Sequence, residues 1–301
     1  MARSATLSPP NPPAQPAVSQ QPRFAHESEA DFARILTFYG IRWDYEPRSF
    51  ILREEDGQLL EAFTPDFYLP DYDQYIELTT LRQSLATYKN RKLRLMRERH
   101  PEVNVKLLNR RDLFTLLEKF GIDPRGSSEV PQIDRVLFTE KQITKRITEL
   151  GKQISEEYAG REVVLVGELR GVACFMADLM RAISLPVRVD FLALSTYQPE
   201  GGALRFVKPL EEDVAGKDVL VVEDVVDTGM SLHRLLQYIR RRDPATVRVC
   251  TLLDKRVRRL VDAPIEYAGF EIDDEFVVGY GLDYHQQYRN LPFLATLKRR
   301  D

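Results

Sequence analysis

The chain has 301 residues, 43% of them hydrophobic and 30% charged, a size for one or two domains and a composition that excludes a wholly disordered polymer. Its 43 Lys and Arg against 46 Asp and Glu leave a formal charge of −3, which excludes a globally basic nucleic-acid binder while leaving room for a local basic patch. No apolar run reaches the roughly 18 residues that a membrane helix needs. Two cysteines, Cys174 and Cys250, are too few for a disulfide framework or a Cys-rich zinc site. The first residues lack the apolar core of a secretory signal, so a reducing cytosol is expected.

Residues 1–22 hold six prolines among Ala, Ser and Gln, and read as a disordered tail that buries too little apolar surface to offset chain entropy. Phe32, Ile35, Leu36 and Tyr39 recur at helical spacing, and Gly40 stops that helix. Alternating segments at 42–46, 49–53 and 59–63 read as strands, the last two separated by Gly57. Segments 67–69 and 74–78 read as a strand pair about Pro70 and Asp71. A long helix is expected over 81–100, ended by Pro101, then a strand over 103–108 and a helix over 112–120. Residues 121–132 pack Gly, Pro and Ser together and mark a domain boundary, giving domains at 23–121 and 133–301 with a linker at 122–132.

The second half alternates differently. Thr139 with Gln142 forms a capping-box signature, and Ile143, Ile147, Leu150 and Ile154 share one helical face. Strands are expected at 163–167, 187–194, 218–222, 247–253 and 276–279, with helices over 172–184 and 231–242. Strands alternating with helices call for a parallel sheet covered on both faces, an α/β fold.

The strongest signal in this half is Val-Val-Glu-Asp-Val-Val-Asp-Thr-Gly-Met-Ser-Leu at 221–232. An apolar strand ends in two carboxylates, Glu223 and Asp224, and a short loop from Asp227 feeds a helix. A helix N-terminus with free N–H groups, a glycine (Gly229) and small hydroxyls (Thr228, Ser231) cradles a phosphate, and Met230 adds a backbone N–H. The adjacent carboxylates suit the vicinal hydroxyls of a ribose, with a Mg²⁺ between them.

This string resembles the phosphoribosyl-pyrophosphate motif of the type I phosphoribosyltransferases, and more narrowly that of the hypoxanthine(-guanine) phosphoribosyltransferases. The resemblance spans about residues 133–298 and implies that family's fold: a parallel sheet flanked by helices, with a small hood. It also implies the activity, transfer of 5-phosphoribosyl from phosphoribosyl pyrophosphate to N9 of a 6-oxopurine in purine salvage. Leu169, Arg170 and Gly171 match the family's pyrophosphate loop, whose backbone commonly carries a cis peptide. Arg170 stands where Lys is usual. Ser195 and Tyr197, separated by Thr196, fall where the family's lid begins, over about 198–207. Lys255 matches the residue that reaches the purine 6-oxo group, and Phe276 the aromatic that stacks on the base. Val277 and Val278 mark the backbone contact to the base edge. Asp283, with Glu223 and Asp224, faces Mg²⁺, and Arg289 reaches pyrophosphate. Asp227 matches the family's general base, and dimers or tetramers are the family's common assemblies.

In the first half, Thr64-Pro65-Asp66, ten residues, then Glu77-Leu78-Thr79 resembles the PD-(D/E)xK restriction-endonuclease-like family over about 24–121. That resemblance implies an α/β fold with Asp66 and Glu77 on adjacent strands at a vestigial metal site, and Glu29 as a third acid. Thr79 stands where the motif's Lys belongs, and Lys89 or Lys92 on the next helix is the expected substitute. Residues 81–111 carry ten Lys and Arg against two Asp and Glu, suited to a phosphate backbone. The presence of Asp227, Lys255, Phe276 and Asp283 together favours an enzyme. The alternative is a regulator that senses phosphoribosyl pyrophosphate or a nucleotide and controls a nucleic-acid-binding module.

Overall fold

The computed structural model describes residues 22–79, 83–109, 116, 131–195 and 204–298, with the backbone alone over 83–88. The expected tail, the helix over 112–120 apart from Leu116, most of the boundary at 121–132 and the interior of the expected lid lie outside the described residues.

The second half is built on a six-stranded sheet. Its strands are β8 (Val163–Glu168), β9 (Val187–Leu194), β10 (Phe206–Lys208), β11 (Asp218–Val226), β12 (Thr246–Asp254) and β13 (Tyr267–Glu271). They run in the order β10-β9-β8-β11-β12-β13, and all pairs are parallel except β10 with β9. The apolar runs at 163–166 and 219–222 are fully buried because both faces are covered. Alternation divides them. Val163 and Leu165 pack with α3 (Glu140–Glu157) and α4 (Ala173–Ala182), whereas Val164 and Val166 pack with α5 (Met230–Arg240) on the other face.

The capping box at Thr139 forms as read, its hydroxyl accepting from the Gln142 N–H. Ile143, Ile147, Leu150 and Ile154 are buried on one stripe, each contributing about 1.5–3 kcal/mol relative to exposure. A three-stranded sheet, β14 (Val277–Val278), β15 (Leu294–Leu297) and β7 (Ile133–Phe138), forms the hood. β7, β10, β13 and β15 escaped the sequence reading because they are short or carry mixed polarity without strict alternation.

The first half begins with α1 (Glu27–Phe38). A hairpin of β2 (Phe50–Glu55) and β3 (Gln58–Phe63) stands beside a four-stranded sheet of β1 (Asp44–Tyr45), β4 (Phe67–Leu69), β5 (Gln74–Thr79) and β6 (Asn104–Asn109). Helix α2 (Gln83–Arg99) connects β5 to its parallel neighbour β6. The stop at Gly40 is observed, with φ +67 and its N–H on Thr37 O.

The two halves share one apolar cluster. Phe32, Ile35, Leu36, Phe38 and Tyr39 of the first half pack with Leu204, Met230, Leu260 and Val261 of the second. Among the described residues no helix is long and apolar enough to cross a membrane.

Candidate transferase site

The strand order reverses about β8, which has β9 on one side and β11 on the other, so the carboxyl ends of β8 and β11 open a crevice where α/β sheets bind ligands. A cavity of about 620 Å³ lies there. β11 supplies Glu223 and Asp224, and the following loop supplies Asp227 and Ser231. β8 ends in Glu168, followed by Leu169, Arg170 and Gly171. Lys255 lies just past β12, and Phe276, Val277, Asp283 and Arg289 come from the hood side.

β11 runs to Val226 rather than ending at 222, with Val225 and Val226 paired to Leu253 and Asp254, so the two carboxylates sit on the strand itself. Helix α5 starts at Met230, with Gly229 as its N-cap at φ +82. A side chain at Gly229 would meet Val261 O and Arg259 Cδ. Of the loop, only Asp227 and Ser231 line the cavity. Thr228 Oγ1 accepts from the Met230 N–H at 3.5 Å, and the Met230 side chain is buried in the cluster shared by the two halves. Thr228, Gly229 and Met230, expected at the phosphate, are not among the residues that line the cavity.

Asp227 Oδ1 is buried and takes no hydrogen bond among the described residues. Behind it stands Arg259, which the sequence reading missed. Its Nε donates to Asp227 O at 3.0 Å and Nη2 to Val226 O at 3.3 Å. The same guanidinium pairs with buried Asp254, so the loop is clamped from behind by a fixed charge.

The peptide between Leu169 and Arg170 is cis, as the resemblance implied. The Leu169 N–H donates to Leu192 O at 2.9 Å. Arg170 Nη1 reaches Gln286 Oε1 at 3.2 Å, tying this loop to the hood side. Gly171 abuts the Asp224 carboxylate so closely that a Cβ there would displace it.

Lys255 is buried, with its N–H on Val226 O, and faces the same cavity as Phe276, whose ring meets that of Tyr284 edge-on at 5.6 Å. Val277 lines the cavity, and Val278 beside it is fully buried. Arg289 pairs with Asp283 at 2.6 Å and donates to Gly281 O, so the two line the cavity as a linked pair.

Glu223, Asp224 and Asp283 line one cavity, yet among the described residues no three such groups converge on a single point. These hard oxygen donors still fit Mg²⁺, which takes one or two carboxylates and completes its shell with substrate oxygens and water.

In the first half, Asp66 and Glu77 lie side by side next to the Phe67–Ile76 register pair of β4 and β5. The Leu78 N–H donates to Asp66 Oδ2 at 2.6 Å. Lys89 of α2 places Nζ 2.5 Å from Glu77 Oε1 and donates to Leu78 O at 2.7 Å. Burial first, and for Asp66 the neighbouring Glu77 carboxylate, push both acids above the usual carboxylate range. Glu77 Oε2 and Thr79 Oγ1 are buried without a hydrogen bond among the described residues. Glu29 accepts from the N–H groups of Ala25 and His26 and from the Tyr45 hydroxyl, so it caps α1, and its negative charge also helps raise both Asp66 and Glu77, so it stands near the pair. Lys92 donates to Ala62 O.

The fold and the site define a phosphoribosyl transferase. The family model described as Phosphoribosyl transferase domain matches residues 137–285. A hypoxanthine phosphoribosyltransferase of Salmonella typhimurium is 50% identical over 167 residues, covering 54% of this chain and 94% of that protein. A hypoxanthine-guanine phosphoribosyltransferase of Mycobacterium avium is 44% identical over 177 residues, 56% of this chain and 87% of that protein. The crystal structure of a hypoxanthine-guanine phosphoribosyltransferase from Bacillus anthracis aligns with TM-score 0.53 and 40% identity, over 56% of this chain and 100% of that one. The chain belongs to the phosphoribosyltransferase family, in its hypoxanthine(-guanine) branch.

Proposed function

We infer that the second half transfers the 5-phosphoribosyl group of phosphoribosyl pyrophosphate to N9 of a 6-oxopurine, giving the nucleotide and pyrophosphate, a purine-salvage reaction. The observation that carries this reading is the convergence of Asp227, Glu223 and Asp224 on one cavity, with Asp227 Oδ1 buried and without a hydrogen bond among the described residues.

The loop ahead of α5 holds the 5′-phosphate on backbone N–H groups and the Ser231 hydroxyl, where the helix dipole favours an anion. Glu223 and Asp224 accept from the ribose hydroxyls. Phe276 stacks on the base and Lys255 donates to its 6-oxo group. The bond from C1′ to pyrophosphate breaks as N9 attacks with inversion, and Asp227 takes the proton from N7. A positioned base of this kind is worth roughly 10²–10⁴ in rate. Arg289 and the N–H groups of the 169–171 loop stabilise the departing pyrophosphate. Bound Mg²⁺, held by Asp283 or by Glu223 and Asp224 together with substrate oxygens, would neutralise charge on that leaving group. An adenine amino group would face the Lys255 amine donor to donor, so adenine is rejected.

The test is incubation of the full chain with Mg²⁺, phosphoribosyl pyrophosphate and each purine base. Nucleotide and pyrophosphate are expected with hypoxanthine and none with adenine. Absence of product with every 6-oxopurine overturns the assignment.

For the first half we propose a nuclease-like module of the PD-(D/E)xK type. What supports it is Lys89, whose ammonium occupies the acidic pair where Thr79 offers only a hydroxyl. The exposed cations of α2 include Arg94 and Arg97, whereas Lys89 and Lys92 are turned inward. Arg94→Ala with Arg97→Ala should weaken duplex binding at fixed salt and flatten its salt dependence. An unchanged titration of the wild type and this variant removes the nucleic-acid role.

A further inference from the structure

We infer that Tyr39, the residue that caps the first half's opening helix, is a substrate-contacting residue of the transferase cavity and donates its hydroxyl to the pyrophosphate end of phosphoribosyl pyrophosphate. This rests on the transferase reading above, but on residues outside the 137–285 stretch that the family model matches.

Tyr39 lines the cavity together with Glu168, Leu169, Arg170 and Gly171, the loop assigned to pyrophosphate. It is 7% exposed, and it is held from several sides. It caps α1 with φ −77 and ψ −1, its N–H donating to Ile35 O. Gly40, in the left-handed region, turns the chain away immediately afterwards. One residue earlier, Phe38 O accepts from the Leu204 N–H of the second half at 3.0 Å. Phe32, Ile35 and Leu36 are fully buried in the cluster that also takes Met230, Leu260 and Val261. The first half thus forms a fixed wall of the second half's cavity. A side chain so held loses little entropy on meeting a ligand, which is the condition for an effective polar contact.

The chemistry at this wall calls for a neutral donor. Glu168 lies on the same side and repels an anion. Burial, with Glu168 in addition, raises the Tyr39 hydroxyl far above its ordinary range, so it keeps its proton at any working pH. Donors aimed at the leaving group's oxygens act strongly in a site screened from water.

The experiment uses the full chain and the variant Tyr39→Phe, which removes one oxygen and keeps the ring that packs against Phe38. Initial rates with hypoxanthine give both KM values, and calorimetry with Mg²⁺ and inorganic pyrophosphate gives a Kd without turnover. The expected result is a rise of about fivefold to twentyfold in KM for phosphoribosyl pyrophosphate and in the pyrophosphate Kd, the effect of one lost hydrogen bond to a charged acceptor. KM for hypoxanthine and the thermal midpoint stay as in the wild type. Wild-type values for both pyrophosphate readouts overturn the inference, as does a parallel rise of both KM values with a lowered midpoint, which marks a merely structural residue. If no purine gives product, the transferase reading fails by itself; pyrophosphate binding weakened by Tyr39→Phe would still uphold the contact.

Discussion

Gly171 and Asp224 touch across the mouth of the cavity: the carboxylate of Asp224 occupies the space that a Cβ on Gly171 would need. The loop proposed to hold pyrophosphate and the carboxylate proposed to hold the ribose are therefore set directly against each other. Gly171→Ala should swing Asp224 out of place. KM for phosphoribosyl pyrophosphate should rise about tenfold or more, with a stability loss of about 1–3 kcal/mol typical of overpacking. Steady-state kinetics beside a denaturant titration separate the two, and unchanged kinetics would detach Asp224 from the sugar.

Asp227→Asn keeps the shape of the loop clamped by Arg259 and removes the proton acceptor. Nucleotide synthesis should fall about a hundredfold or more, while phosphoribosyl pyrophosphate binds as before in calorimetry. Near-normal turnover in this variant would take the general-base role away from Asp227.

Lys89→Ala leaves Glu77, 4% exposed at its side chain, as a buried carboxylate beside Asp66. Breaking such a pair costs about 3–5 kcal/mol when it is fully buried; Lys89 is partly exposed, so a loss of about 1–3 kcal/mol is expected at pH 8. Burial already raises Glu77, and removing the Lys89 ammonium raises it further. A carboxyl that binds its proton more tightly when folded gains stability as pH falls. The deficit of the variant should therefore shrink between pH 8 and pH 5. A deficit constant over that window would place the loss in packing rather than in charge.

His233 on α5 meets Tyr72 of the first half ring to ring at 5.4 Å. Burial lowers its affinity for a proton, the nearby Asp71 only partly opposing. The unfolded chain then binds that proton more readily, so stability falls as pH drops through and below about 6.5. His233→Gln should lessen this fall relative to the wild type when unfolding is followed from pH 7.5 to pH 5. Identical pH slopes would show that His233 titrates alike in both states.

Much of the transferase half was legible in sequence because its signals are local. The apolar run into Glu223 and Asp224, then Asp227 to Ser231, encodes strand, loop and helix within a dozen residues, and the Thr139–Gln142 cap spans four residues. Which of Val277 and Val278 faces the cavity was not readable, because a two-residue strand carries no alternation to fix its phase. In the first half, the acidic pair was readable from its spacing. Which lysine meets Glu77 was not, since Lys89 and Lys92 lie on the same helix and only packing points Lys89 at Glu77 and Lys92 at Ala62. That Glu29 both caps its own helix and adds its charge to the pair also came only from the folded chain.

The sequence by itself determined the class of chemistry, because a strand, a phosphate-holding turn and two carboxylates are written in consecutive residues. Only the tertiary structure decided how that chemistry is walled. Tyr39 lies more than a hundred residues before the loop it faces, Arg259 grips Asp227 from beyond the next strand, and Met230 turns its side chain into the other half's core. Such contacts depend on how apolar faces from distant segments come together, and hydrophobic burial leaves no fixed spacing in the chain for a reader to find.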